Sequence, residues 1–292
     1  MTERVTRAVC AICAVALLAA GCAAPTTGLR GTPETGVVLE YAVPEDTPLR
    51  YHLTSEMSQA MEIPGKPVQM ETVQHTLISV TPEETEDDLL LTVKIDSMSL
   101  LVTAGDQQIA ADVADVAGRS FAMNLSRLGE ESGFPPADEI QYDMGEAGKR
   151  SALTALQMIF PDFADRAVAV GDTWVATDGF TEEAEGGTVE ISVTTRNTLE
   201  GFEEFLGLPC ARISSLYTGT SKGGGTQGPA EWTSEGIIEG VSTAYFAYED
   251  GVFVSESTNG KGTSTISAVG PDGETVLIPV TQTMSFETRL VR

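Results

Sequence analysis

From Leu49 to Ile63 the chain alternates between apolar and polar residues, and this alternation restricts the fold more than any other feature. Leu49, Tyr51, Leu53, Met57, Met61 and Ile63 fall on one side, while Arg50, His52, Thr54, Glu56, Ser58 and Glu62 fall on the other. A period of two sends successive side chains to opposite faces of an extended chain, so the stretch reads as a long half-buried strand. The C-terminal stretch repeats the pattern. Val276, Ile278, Val280, Met284, Phe286 and Leu290 share one face, and Thr281, Thr283, Ser285, Glu287 and Arg289 share the other.

Further strands are expected at about 68–80, 89–102, 119–125, 188–199, 210–220, 232–247 and 252–257, separated by turns such as Pro64-Gly65, the acidic stretch Thr81–Asp88 and Tyr248–Gly251. In 89–102, Leu89, Leu91, Val93 and Ile95 oppose Thr92, Lys94 and Asp96. The glycine-rich stretch Ser221–Gly228 reads as a long flexible hairpin loop. Two segments read as helix. Gln107–Ala117 is a short one with Gly118 at its C-terminal cap. Ala147–Phe160 is the main one, with Leu153, Leu156 and Phe160 on one face and Pro161 after its end. The expected fold is mainly β, of the α+β class. It is a long curved antiparallel sheet or unclosed β-barrel, built of two meander halves at about 37–145 and 170–292 and joined by the helix at 147–160.

The first residues carry a different signal. Arg4 and Arg7 precede an uncharged run from Ala8 to Ala20, which leads into Leu18-Ala19-Ala20-Gly21-Cys22. The run is shorter than the roughly 20 residues of a membrane span and has the layout of a secretory signal. It resembles the bacterial lipoprotein signal, although Ala19 stands where leucine is commoner. The resemblance implies cleavage after residue 21, a lipid on Cys22 and attachment to a membrane through that lipid. Ala23, next to the cysteine, resembles lipoproteins destined for the outer membrane. Residues 22–36 are small and rich in Pro, Gly and Thr, as in a flexible tether, and 37–292 follow as a single β-rich domain.

Charge and cysteine content narrow the functions. The chain has 43 acidic and 17 basic residues, a net charge of −26, and its lysines are Lys66, Lys94, Lys149, Lys222 and Lys261. Such a surface repels nucleic-acid phosphates and anionic headgroups, and also fits a salt-adapted source. On that resemblance Cys10 and Cys13 would leave with the signal and Cys22 would take lipid, so no intramolecular disulfide is expected at Cys210. Among Leu208, Pro209 and Ala211 it reads as a small buried hydrophobe.

Catalytic constellations are not legible. His52 and His75 lie in strands without ligand or triad spacing, and hydrolysis would need one of them joined to a carboxylate and a hydroxyl. Gly219–Gly225 lacks the order of a phosphate-binding loop. The run of acidic residues at 83–88 lacks calcium-loop spacing and reads as a solvated turn that protects sheet edges. No catalytic residue, metal site or cofactor is expected, and the protein reads as a non-enzyme.

Methionine is more informative. Met57, Met61 and Met284 share apolar faces with Leu53 and Phe286, and flexible thioethers fit irregular apolar contents. Together with the cysteine signal, the tether and the turn Val170-Gly171-Asp172-Thr173-Trp174, the pattern resembles uncharacterised bacterial envelope lipoproteins. More loosely, it resembles the lipoprotein-carrier and mycobacterial lipid-carrier proteins. That resemblance implies a curved, unclosed barrel covered by helices around an apolar cavity. The expected function is a membrane-tethered protein of the cell envelope that binds a hydrophobic ligand or lipid, with Tyr51, Leu53, Met57, Met284 and Phe286 as lining. The alternative is a structural lipoprotein that meets a protein partner and holds no small molecule.

Overall fold

The computed structural model describes residues 31–63, 66–145, 148–184, 186–227, 230–269 and 273–291. A small hairpin comes first, β1 (Gly31–Thr32) with β2 (Gly36–Val37). The N-terminal meander follows as β3 (Leu49–Ile63), β4 (Lys66–Glu84) and β5 (Leu89–Ala104). Short strands occupy the middle: β6 (Gln107–Ala110), β7 (Ser120–Leu125), β8 (Glu131–Ser132), β9 (Gln141–Asp143) and β10 (Lys149–Ser151). The C-terminal meander runs through β11 (Thr173–Ala184), β12 (Gly187–Phe205), β13 (Leu208–Gln227), β14 (Ala230–Ala247), β15 (Val252–Val269) and β16 (Thr275–Val291).

All but β1 and β2 belong to one antiparallel 14-stranded sheet, ordered 8-7-5-4-3-16-15-14-13-12-11-10-9, with β6 beside β5. The two meanders are therefore one surface, joined where β16 pairs with β3. The sheet is rolled but not closed into a barrel. Its margins meet at Asp112, just past β6, and Asp143 of β9, through backbone hydrogen bonds of 2.8 and 3.0 Å.

The core fills one end of the roll. Tyr51, Ile78, Ile95, Leu199, Ile213, Phe246, Phe253 and Leu290, from eight strands, face inward and are buried together. Residues 37–48, 126–145 and 148–172 plug that end. Val37 pairs with Val168, Tyr41 Oη donates to the Pro161 carbonyl at 3.0 Å, and Trp174 Nε1 donates to the Asp162 carbonyl at 2.9 Å. Tyr41, Tyr51, Phe160, Phe163, Phe246 and Phe253 form one aromatic cluster, with Phe163 and Phe246 centroids 4.4 Å apart. Each such pair adds about 0.5–1.5 kcal/mol beyond the area it buries. Three register shifts, at Leu77/Ile78, Leu199/Gly201 and Tyr245/Phe246, lie where strands enter the core. Bulges there bend the strands and sharpen the twist.

The mainly-β antiparallel reading holds, and both helices are corrected. Among the described residues no α-helix forms. The segment expected as the main helix is β10, one 3-10 turn (Thr154–Leu156) and irregular chain. Leu153, Leu156 and Phe160 are buried as their spacing requires, but the backbone is satisfied from elsewhere. The Glu131 carboxylate accepts the N–H groups of Met158, Ile159 and Phe160, each at 2.9 Å. A carboxylate that takes successive amides replaces the bonds a helix would make. At 107–117 the chain instead forms β6 and a turn, which ends at Gly118 with φ +85°. The expected loop at 221–228 is also corrected, since Ser221–Gln227 continues β13 in full register with β14. Gly228 lies outside the described residues. Of the expected tether, residues 31–36 enter the β1–β2 hairpin.

Candidate functional site

Strand register sorts the far half of the roll into two unlike faces. On the inner face, beyond the core, β12 carries Thr195, Val193, Ile191 and Val189, and β13 carries Tyr217, Gly219, Ser221 and Gly223. Next come Gly240, Ile238, Gly236 and Ser234 on β14, and Gly260, Gly262, Ser264 and Ile266 on β15. Met284, Gln282, Val280 and Ile278 follow on β16, with Met57, Gln59 and Met61 on β3 and Thr72, Met70 and Val68 on β4. Among the described residues of these seven strands, this stretch of wall is uncharged up to Lys66 at the tip; the carboxylates Asp178 and Glu182 stand at its β11 margin. The opposite face carries Glu190, Lys222, Glu231, Glu235, Glu239, Lys261, Glu56 and Glu287. Glu239 pairs across strands with Lys261 at 3.0 Å. Leu216, Ile237 and Leu277 are exposed apolar residues set among these polar ones.

The inner wall stays thin because large side chains lie down along it. Tyr217 stretches over Gly240 and Gly260, Ile238 lies over Gly219 and Gly262, and Trp232 lies over Gly187. A Cβ on Gly240 or Gly260 would collide with the Tyr217 phenol. Glycine within a strand often marks this kind of close approach.

A polar shelf separates the wall from the core. Ser215 Oγ donates to Asn197 Oδ1 at 2.6 Å, and both residues are buried. In the adjoining strands Ser242 and Thr258 hydrogen-bond the Glu256 carboxyl, which burial pushes above its ordinary range. Tyr217 Oη, just above, is buried and has no hydrogen-bond partner among the described residues.

The five expected lining residues divide between core and wall. Tyr51 is fully buried, donates to the Phe253 carbonyl at 2.9 Å and stacks on that ring. Leu53 joins the same core. Met57 and Met284 are direct cross-strand partners on the wall, half-buried. Phe286, opposite Ser55, is 39% exposed. Cys22 and the signal lie outside the described residues. Cys210 is fully buried. His52 and His75 stack on the outer face with centroids 5.7 Å apart, and Thr54 Oγ1 lies 3.3 Å from His75 Nδ1.

Sequence reasoning missed Tyr217, Glu256 and a cluster of three carboxyl groups, one of them on β11. The last consists of Glu131, Asp162 and Asp178. Burial and the shared Asp178 contact hold Asp162 well above the usual carboxylate range, and burial raises Glu131 to about 7. The signal for Tyr217 was its phase with Gly219, Ser221 and Gly223, but hairpin registers are needed to place it across Gly240.

No protein-family model matches the chain, and no curated protein matches it. Among solved structures it is similar to the beta domain of the Bordetella autotransporter Brka, with TM-score 0.26, 8% identity and coverage of 84% of this chain and 100% of that one. It is also similar to OccK2 (OpdF) of Pseudomonas aeruginosa, with TM-score 0.25, 7% identity and coverage of 86% and 100%. An outer membrane channel of Pseudomonas putida F1 has TM-score 0.21, 10% identity and coverage of 87% and 98%. TM-scores of this size do not define a shared fold.

Proposed function

We propose that the protein is a lipid-anchored, non-catalytic component of a bacterial cell envelope, facing the periplasm from the outer membrane, that holds an apolar chain against the inner wall of its rolled sheet. The observation that carries the reading is the contrast between faces. Between the Glu256 shelf and Lys66 at the tip, an uncharged inner surface runs across seven strands, while Glu190, Lys222, Glu231, Glu235, Glu239, Lys261, Glu56 and Glu287 of the same strands point outward. The Val, Ile and Met side chains of this uncharged wall, left half-open on the concave side of the sheet, are suited to contact an apolar chain. A membrane-spanning barrel has the reverse arrangement, with an apolar band outside. The cysteine signal supports the anchor. Membrane fractionation after Cys22→Ala tests it, with release into the soluble fraction as the expected result. Titration of the domain with parinaric acid, a fluorescent acyl probe, tests binding; saturable enhancement is expected, and none would overturn the reading.

A second reading, a protein partner and no small ligand, draws on Leu216 and Val241. They stand opposite each other on the outer face, 62% and 51% exposed. It predicts that Leu216→Glu abolishes capture of a cross-linked envelope partner and leaves acyl-probe fluorescence at background in both proteins.

A further inference from the structure

The wall's unmatched polar atom names the ligand more closely. Tyr217 lies flat across Gly240 and Gly260, so its phenol end reaches β15 at Gly260. Gly260 is opposite Met284, which is opposite Met57. The hydroxyl thus ends one strand from Met284 and two strands from Met57 on the same wall. It is buried and makes no hydrogen bond among the described residues. The neighbouring polar groups are engaged with each other: Glu256 with Ser242 and Thr258, and Ser215 with Asn197. Gly260 offers no side chain, and the Met284 thioether is flexible, so an oxygen can be brought to Tyr217 Oη without displacing backbone.

We infer that the wall recognises an acyl compound by its carbonyl oxygen as well as its hydrocarbon, with Tyr217 Oη as the donor. This rests on the apolar-wall reading above. A buried donor left unpaired in the free protein and paired in the complex discriminates between ligands that have the acceptor and ligands that lack it. Burial and the nearby Glu256 push the phenol above its ordinary range, so it remains a donor.

The test compares methyl dodecanoate with tridecane as competitors for bound parinaric acid, on the wild-type domain and on Tyr217→Phe. The variant keeps the ring over both glycines and removes the hydroxyl; an unchanged thermal midpoint or a higher one confirms that it folds. The ester-to-hydrocarbon affinity ratio is expected to fall about 5- to 10-fold in the variant, the equivalent of one hydrogen bond, while tridecane binds both proteins equally. An unchanged ratio overturns the role of Tyr217 and leaves the apolar wall standing. If neither compound displaces the probe from wild type, the apolar-wall reading fails, and this inference with it.

Discussion

Met57 of β3 stands directly opposite Met284 of β16 on the inner wall, so the first and last long strands of the sheet meet where that wall is open. Both side chains are half-buried and both lie above the core. Met284→Lys places an ammonium on this uncharged surface. Acyl-probe affinity is expected to fall at least about tenfold, the scale of an unpaired charge set against an apolar ligand. The thermal midpoint should change little, because the lysine can extend into the open roll. Equal affinity in the two proteins would show that the ligand does not touch this pair.

Tyr51 has the opposite profile. Its hydroxyl donates to the Phe253 carbonyl deep in the core. Tyr51→Phe should therefore cost about 1–3 kcal/mol in urea unfolding, through the carbonyl left unpaired, and leave probe affinity unchanged. A loss of affinity without a loss of stability would move Tyr51 from packing to binding.

The strands were legible because their information is local. The alternation of β3 and β16 sets both their extent and the face each residue occupies, and the register between them agrees residue by residue. The segment at 147–160 was not legible as irregular chain. Its apolar spacing is helical, and the group that satisfies its amides, Glu131, lies outside it. Ser221–Gln227 resembled a loop because glycine favours loops. Only the facing strands show why a strand would carry it, as with Ile238 lying over Gly219. Met57, Met284 and Phe286 could be placed on one face from sequence. That Tyr51 and Leu53, on that same face, lie below the level of the plug depends on how far the plug reaches.

The plug carries a pH dependence with a definite sign. Burial, the Asp178 charge and the shared hydrogen bond raise Asp162, and burial raises Glu131 from 4.5 to about 7. Groups whose folded-state pKa is raised contribute stability that is fully present below the unfolded value and lost as pH rises through the folded one. The thermal midpoint should therefore drop between about pH 5 and pH 8. Asp178→Asn removes one charge from the cluster and should flatten that slope. Calorimetric scans across the range check both, and a parallel slope in the variant would assign the effect to the protein's overall negative charge.

Gly260 and Tyr217 are coupled through space. Gly260→Ala drives a Cβ into the phenol, at an expected cost of about 1–3 kcal/mol from overpacking. In a Tyr217→Ala background the same substitution should cost much less. A double-mutant cycle by urea denaturation measures the difference, with a coupling of about 1 kcal/mol or more expected. Additive costs would mean that the ring does not lie across the glycines.

The most direct test of ligand binding on the wall is to watch the methionine methyl groups by NMR while a long-chain fatty acid is added. Met57, Met61 and Met284 line the wall, whereas Met123 is buried in the core at 1% exposure. Saturable shifts at Met57, Met61 and Met284, with Met123 unmoved, are the predicted result. Unmoved wall methyls at saturating fatty acid, or shifts confined to Met123, would contradict it.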